Sequence, residues 1–362
     1  MRESLIALPD ATLNASSTIL NKLIRQTSIR CLFLPKILDI GRRQIQISML
    51  LPPILKIIHL PNSSNTKPFL DKLSPDLVHF CMPQQPVLYK GNHITTVHDL
   101  NLLNTYNSDK NWLIFHLKQL VGRFVFKRIG KTSSAIITPT NFVKNSYINF
   151  AKIPAAKVTV TPEAAEPASD AIAPYPVPFE KRFILYVGQQ SDYKNIKRLG
   201  DAHQELLKTH PDLGLVLVGK KDAAARKNEA YFSQKQYVNI HFTDFVPDDQ
   251  LNWLYENCTA YIFPSLMEGF GLPGLEAMIR GVPVISSNTT CLPEVYGDAA
   301  WYFNPLDSQN MARKIEEVLN SEQIQTELIK KGREKAGEYS WHRMAIQTHE
   351  VYVKALETNH AN

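Results

Sequence analysis

The stretch "SLMEGFGLPGLEAM", residues 265–278, carries two carboxylates eight positions apart, Glu268 and Glu276, around Gly269, Gly271 and Gly274. Pro273 and the glycines mark the entry of a helix, where backbone N–H groups lack intrahelical partners and the positive dipole end favours a phosphate. Glu276, about one turn in, is placed to accept hydrogen bonds from hydroxyls beyond the phosphates, as a ribose offers. Glu268, on the loop side, is placed to take hydroxyls on the other flank. The pair brackets a nucleoside diphosphate sugar.

The same glycines spell G-x-G-x-x-G, the spacing of a dinucleotide-binding turn. That turn must follow the first strand of its domain and be answered about 20 residues later by an acidic residue ending the next strand. Here the turn follows the fourth strand, and the next one ends in Ser286, Ser287 and Asn288. A nicotinamide cofactor is not expected.

The elements that must position these groups alternate. "RFILYVG" (182–188), "LGLVLVG" (213–219), "VNIHFTDF" (238–245), "TAYIFPS" (259–265) and "VPVISSN" (282–288) read as buried strands. Helices near 195–209, 222–235 and 248–257, and one from about 272, separate them. Continuous β-branched runs spaced by helices describe a parallel sheet covered on both faces. Asp248 and Asp249 read as acidic residues opening a helix. In the first half, "PDLVHFC" (75–81), "HITTVHD" (93–99) and "SAIITPT" (134–140) look like buried strands, with an amphipathic helix near 110–129.

The fold class expected is therefore α/β, with two Rossmann-like domains facing a cleft. Five prolines in residues 161–182 mark the seam. The expected division is 1–170 as an acceptor-side domain, 171–181 as a Pro-rich linker, 182–338 as a nucleotide-sugar domain, and 339–362 as a helix returning toward the first domain.

The chain has 362 residues, 44% of them apolar, enough for two sizeable cores. Its longest apolar run is broken by Pro52, Pro53 and Lys56, too short to span a bilayer, and no secretory signal opens it; the expected location is cytoplasmic, with the inner face of the membrane as the alternative within it. Cys31, Cys81, Cys258 and Cys291 have no metal-ligand spacing and read as reduced. Charge is uneven: residues 1–180 hold 20 Lys+Arg against 11 Asp+Glu, and the remainder 20 against 23. The basic half suits an anionic partner such as a membrane surface or a phosphorylated substrate.

"SLMEGFGLPGLEAMIRGVPVISSNTTCLPEVYGDAAWYFNPLD" resembles the signature of the family-4 retaining glycosyltransferases of the GT-B fold, with Glu268 and Glu276 as its E-x7-E pair. The resemblance runs from about 183 to 354 and includes "YVGQQSDYKNIKRL", "LVLVGKKD" and "YSWHRMA". It is weaker in the first half, resting on "TTVHDL" and "IITPTNFVKN".

The resemblance implies that Glu276 binds the donor ribose and Glu268 approaches the donor hexose. Donor contacts are expected along Gly269, Phe270, Gly271, Leu272, Pro273 and Leu275, and from Gly188 and Gln189. Lys194 stands where the family places a lysine on the leaving diphosphate, a point cation in the role Mg²⁺ has in other transferases, so no metal is implied. An arginine usually accompanies it; Gln189 and Tyr193 occupy those positions, leaving Gln189, Arg198 or another cation to substitute. His98, with Asp99 beside it, matches a histidine facing the donor sugar and acceptor. Thr140 and Asn141 match a turn on the cleft. The family's N-terminal glycine loop has no counterpart before Gly41, and Ser16, Ser17 and Thr18 are expected to cap a helix there.

The function expected is transfer of a hexose, mannose first, from a nucleotide sugar such as GDP-mannose to a hydroxyl of a glycan or lipid-linked acceptor in polysaccharide synthesis. The resemblance implies retention by same-face substitution, in which the leaving phosphate oxygen accepts the acceptor's proton. The alternative is a non-catalytic GT-B scaffold or nucleotide-binding protein. "NWLIFHLKQLVGRFVFKRIGK" (111–131) mixes apolar residues with Lys118, Arg123, Lys127, Arg128 and Lys131, as either a helix on anionic lipid or a buried helix with a basic outer face. Nucleic acid is not an expected partner.

Overall fold

β-Branched and aromatic runs too short for helices become the strands of two separate parallel sheets in the computed structural model, which describes residues 6–7, 32–34, 70–71, 73, 75–104, 112–165, 171–179 and 182–360. Ser16, Ser17, Thr18 and the helix that they are expected to cap lie outside the described residues, as does Cys31. The chain divides into two units. One comprises Met1–Leu103, Lys118–Pro162 and Trp341–Asn362; the other comprises Asn104–Leu117 and Glu163–Ser340. The boundary between Pro162 and Glu163 falls within residues 161–182, the stretch of five prolines.

The first sheet orders its described strands sequentially: β1 (Ile6–Ala7), β2 (Leu32–Leu34), β3 (Val78–Phe80), β4 (His93–Thr96), β5 (Ala135–Thr138) and β6 (Val158–Val160). Successive strand residues point to opposite faces, and β5 shows what each face buries. Ile136 packs with Phe126 and Ile129 of the helix Trp112–Thr132 and with Val143 and Tyr147 of the helix Asn141–Ala151. Its neighbour Ile137 packs with Leu77, Ile94 and, from the C-terminal helix Trp341–His360, Val351, Tyr352 and Ala355. The terminal helix is thus part of the first unit's core, as the expected fold class has it. His79 fixes it further: its ring nitrogens meet Tyr352 Oη and Thr96 Oγ1, each at 2.8 Å.

The second sheet comprises β7 (Phe183–Val187), β8 (Gly214–Val218), β9 (Ile240–Asp244), β10 (Ala260–Phe263), β11 (Val284–Ser287) and β12 (Ala300–Phe303), all parallel. Their spatial order is β9-β8-β7-β10-β11-β12. This is the doubly wound arrangement, with the winding direction reversing between β7 and β10. The crossovers on either side of that reversal lead to opposite faces of the sheet, and the carboxyl ends of β7 and β10 at such a switch point are where doubly wound sheets bind ligands. The loops after both strands carry residues singled out in the sequence.

Candidate functional site

The loop after β7 turns through residues that only special backbone allows. Gly188 has φ of 142°, and Asn195 sits in the left-handed region at φ 63°. Asn is one of the few non-glycine residues that visit this region, and here its amide nitrogen is held by distant partners. Its Nδ2 donates to the carbonyls of Pro264 at 3.1 Å and Pro305 at 2.7 Å, while its Oδ1 accepts from Arg198 Nη1 at 2.9 Å. The amide of Leu266 donates to the Tyr193 carbonyl at 2.7 Å. The two loops flanking the reversal are therefore stitched together, with Lys194 held between Tyr193 and Asn195. Arg198, a cation available for the diphosphate on the sequence alone, is engaged in holding Asn195.

Lys194 Nζ donates to Glu268 Oε1 at 2.6 Å. Their side chains are 13% and 11% exposed, so the pair is mostly withdrawn from water. The ammonium also lies 5.3 Å from the Tyr193 ring centroid and 5.5 Å from that of Phe263, distances at which a ring face attracts a cation. Glu268 is positioned through its backbone: its N–H donates to Thr290 Oγ1 at 3.3 Å. The Ser287 hydroxyl donates to the Ser265 carbonyl at 2.6 Å, tying the same loop to β11.

Glu276 lies in the helix Leu272–Ile279, one turn from its start. Its Oε2 accepts from the fully buried Tyr255 hydroxyl at 3.2 Å. Burial pushes the Glu276 carboxyl above its ordinary range, with the Tyr255 hydrogen bond and the nearby Arg280 pulling the other way. The two glutamates thus have separate partners: Glu268 faces the cation, and Glu276 a tyrosine on the helix Asp248–Asn257. Asp248 and Asp249 occupy the first turn of that helix.

The glycines have a structural cause that spacing alone does not reveal. Gly271 has φ of 104° and caps the helix Leu272–Ile279, and its carbonyl accepts from Tyr296 Oη at 2.5 Å. A Cβ on Gly271 or Gly274 would collide with that same Tyr296 hydroxyl. The helix start is set by a buried tyrosine that only hydrogen atoms at these positions admit. Phe270 is buried and meets Tyr339 edge to face at 5.4 Å. Gln189 is exposed, and its carbonyl accepts from Tyr186 Oη at 2.6 Å.

His98 lies in the first unit, just past β4. Its Nε2 meets the Cys81 carbonyl at 3.0 Å. A carbonyl only accepts, so Nε2 carries a proton there. Asp99 accepts from the Asn101 backbone N–H at 2.9 Å. Thr140 Oγ1 accepts from the Val143 N–H at 3.2 Å, the N-cap of the helix Asn141–Ala151. Tyr255, Thr290 and Asn195 take part in the site without any local sequence signal, except that Asn195 directly follows Lys194.

Residues 170–335 match the family model described as "Glycosyl transferases group 1". The chain is 29% identical over 276 residues to the O-antigen chain mannosyltransferase B of Escherichia coli, covering 72% of this chain and 69% of that protein. It is 31% identical over 283 residues to the serotype-specific mannosyltransferase WbdA of the same organism, covering 74% of this chain but only 34% of the relative's length. Among solved structures, sucrose-phosphate synthase from Thermosynechococcus elongatus superposes with a TM-score of 0.75 at 18% identity, over 98% of this chain and 100% of that one. The fold expected from sequence is the fold of these glycosyltransferases.

Proposed function

With residues 170–335 a group 1 glycosyl transferase domain, in a glycosyltransferase of the GT-B type, we propose that the chain moves mannose from a nucleoside diphosphate sugar to a hydroxyl of a glycan or lipid-linked acceptor, with retention. The observation that carries this reading is the Lys194–Glu268 pair at the strand-order reversal, with Glu276 eight residues on in the adjoining helix. Mannose is favoured because both Escherichia coli relatives are named as mannosyltransferases.

In the proposed donor complex the diphosphate lies at the start of the helix Leu272–Ile279, over the backbone of Gly269 to Leu275, with Gly188 and Gln189 on the opposite loop. Lys194 leaves Glu268 and neutralises charge on the departing diphosphate; the freed Glu268 carboxylate accepts from hexose hydroxyls. Glu276, already accepting from the Tyr255 hydroxyl, also accepts from the ribose. The acceptor oxygen bonds to the anomeric carbon on the face from which the diphosphate departs. The bond from that carbon to the phosphate oxygen breaks, and the acceptor's proton passes to the leaving oxygen. His98 is proposed to face the donor sugar and the acceptor, its ring positioned by the Nε2 bond to the Cys81 carbonyl. Charge neutralisation on Lys194 leaves the step without need of a metal.

The test is a panel of GDP-mannose, UDP-glucose and UDP-N-acetylglucosamine with glycan and lipid-linked acceptors. Acceptor-dependent release of GDP, with an α-linked product from the α-configured donor, supports the reading. A β-linked product overturns retention, and preference for a UDP-sugar overturns the donor.

A further inference from the structure

The helix Trp112–Thr132 buries one face and leaves the opposite one in water. Phe115, Gly122, Phe126 and Ile129 turn inward, with Gly122 against Leu102 and Leu103. Trp112, Leu113, Leu117, Leu120, Val121 and Phe124 are each more than half exposed. Leu113, Leu117, Leu120 and Phe124 follow one another at the three- and four-residue steps that make a single stripe on a helix. Lone apolar side chains at a surface are ordinary, but four in one stripe with Val121 beside them mark an interaction face.

The same helix states what that face meets. Lys118, Arg123, Lys127 and Lys131 are all exposed, Lys127 and Lys131 continue the stripe beyond Phe124, and residues 112–132 contain no Asp or Glu. A partner that is apolar alone would match only the first turns; apolar contact grading into uncompensated positive charge matches a surface of acyl chains under anionic headgroups. Among the described residues no helix is long and apolar enough to cross a membrane, so this one would lie along the interface.

We propose that Trp112–Thr132 docks the protein on an anionic lipid bilayer, with Leu117, Leu120 and Phe124 entering the headgroup boundary and Arg123, Lys127 and Lys131 on lipid phosphates. The proposal extends the reading of a lipid-linked acceptor, which such docking would bring within reach, but it stands on the helix itself.

The full chain is floated with vesicles of phosphatidylcholine alone or mixed with phosphatidylglycerol, at rising salt. The wild type is expected to float with the anionic vesicles, less so as salt rises, and to bind neutral ones weakly. Leu120→Glu with Phe124→Glu, both on the exposed face, is expected to lower vesicle affinity about tenfold or more, since two apolar anchors are lost. Lys127→Glu with Lys131→Glu is expected to weaken binding and flatten its salt dependence. A wild type that stays unbound with anionic vesicles overturns the proposal, as does apolar-face variant binding equal to wild type. Conversion of an oligomer to a monomer by Leu120→Glu with Phe124→Glu, without vesicle binding by the wild type, assigns the face to a second copy instead. The melting-temperature rise with GDP-mannose, measured on the same samples, separates the two readings: lost docking with that rise intact overturns docking alone.

Discussion

Lys194 and Glu268, 74 positions apart in sequence, meet at 2.6 Å where the winding of the second sheet reverses between β7 and β10. With so little of either side chain in water, each charge depends on the other while no ligand is bound, and removing one leaves its partner uncompensated. Lys194→Met and Glu268→Gln are each expected to destabilise the fold, the lysine variant by on the order of 3 kcal/mol. The double variant should lose less than the two singles combined, a coupling that urea unfolding of all four proteins measures. Lys194→Met should also lower turnover by roughly 10²–10³, as expected when a charge stabilising a departing anion is removed.

Glu276 offers a cleaner separation of binding from folding. Burial raises its carboxyl above the ordinary 4.5, so the folded chain holds that proton more tightly than the unfolded chain does. Its contribution to stability is present below pH 4.5 and lost as pH rises through the folded value. Glu276→Gln removes the buried charge while keeping an acceptor for the Tyr255 hydroxyl, whereas alanine would orphan it. The glutamine variant should melt at or above the wild-type temperature at pH 7 and show no stabilisation by nucleotide sugar. Calorimetric scans with and without donor check both halves.

Gly274 tests whether the helix start is set by Tyr296. A methyl group there meets the Tyr296 hydroxyl and ring, and overpacking of this kind costs about 1–3 kcal/mol. Gly274→Ala should lower the melting temperature and weaken donor binding together, because the same displacement moves the helix N-terminus. Normal stability with normal donor affinity would separate the glycine from the tyrosine.

Two buried histidines set an acid limit. Burial lowers His79 to about 3 and His203 to about 4, from 6.5. Both are held neutral in the fold, so their contribution is intact above pH 6.5 and is lost as pH falls through 6.5 toward the folded values. Each steepens the loss by about 1.4 kcal/mol per pH unit within its window. His79→Gln should flatten the stability profile between pH 6 and roughly 4 by about that slope, as urea midpoints across the range would show.

The second sheet is legible in the sequence because parallel strands buried on both faces leave unbroken apolar runs: "RFILYVG" contains Phe183–Val187, and the helix expected at 248–257 is Asp248–Asn257. β12 escapes notice because "AWYF" follows a helix and a turn with no punctuation beyond Gly297. The pairing of Lys194 with Glu268 and of Tyr255 with Glu276 depends on strand order, which no local pattern encodes. The glycines point to a close approach, but only packing identifies Tyr296 as what approaches. The helix at 112–132 is legible as amphipathic; that its outer face is apolar for several turns, rather than simply basic, emerges only once Phe126 and Ile129 show which side the core takes.

Sugar transfer from a nucleotide donor through this site is tested most directly by release of nucleoside diphosphate from GDP-mannose in the presence of acceptor, comparing wild type with Glu276→Gln at equal folded concentration. The expected result is acceptor-dependent GDP release by the wild type and its loss in the variant. Equal release by both proteins, or none from any nucleotide sugar by the wild type, would contradict it.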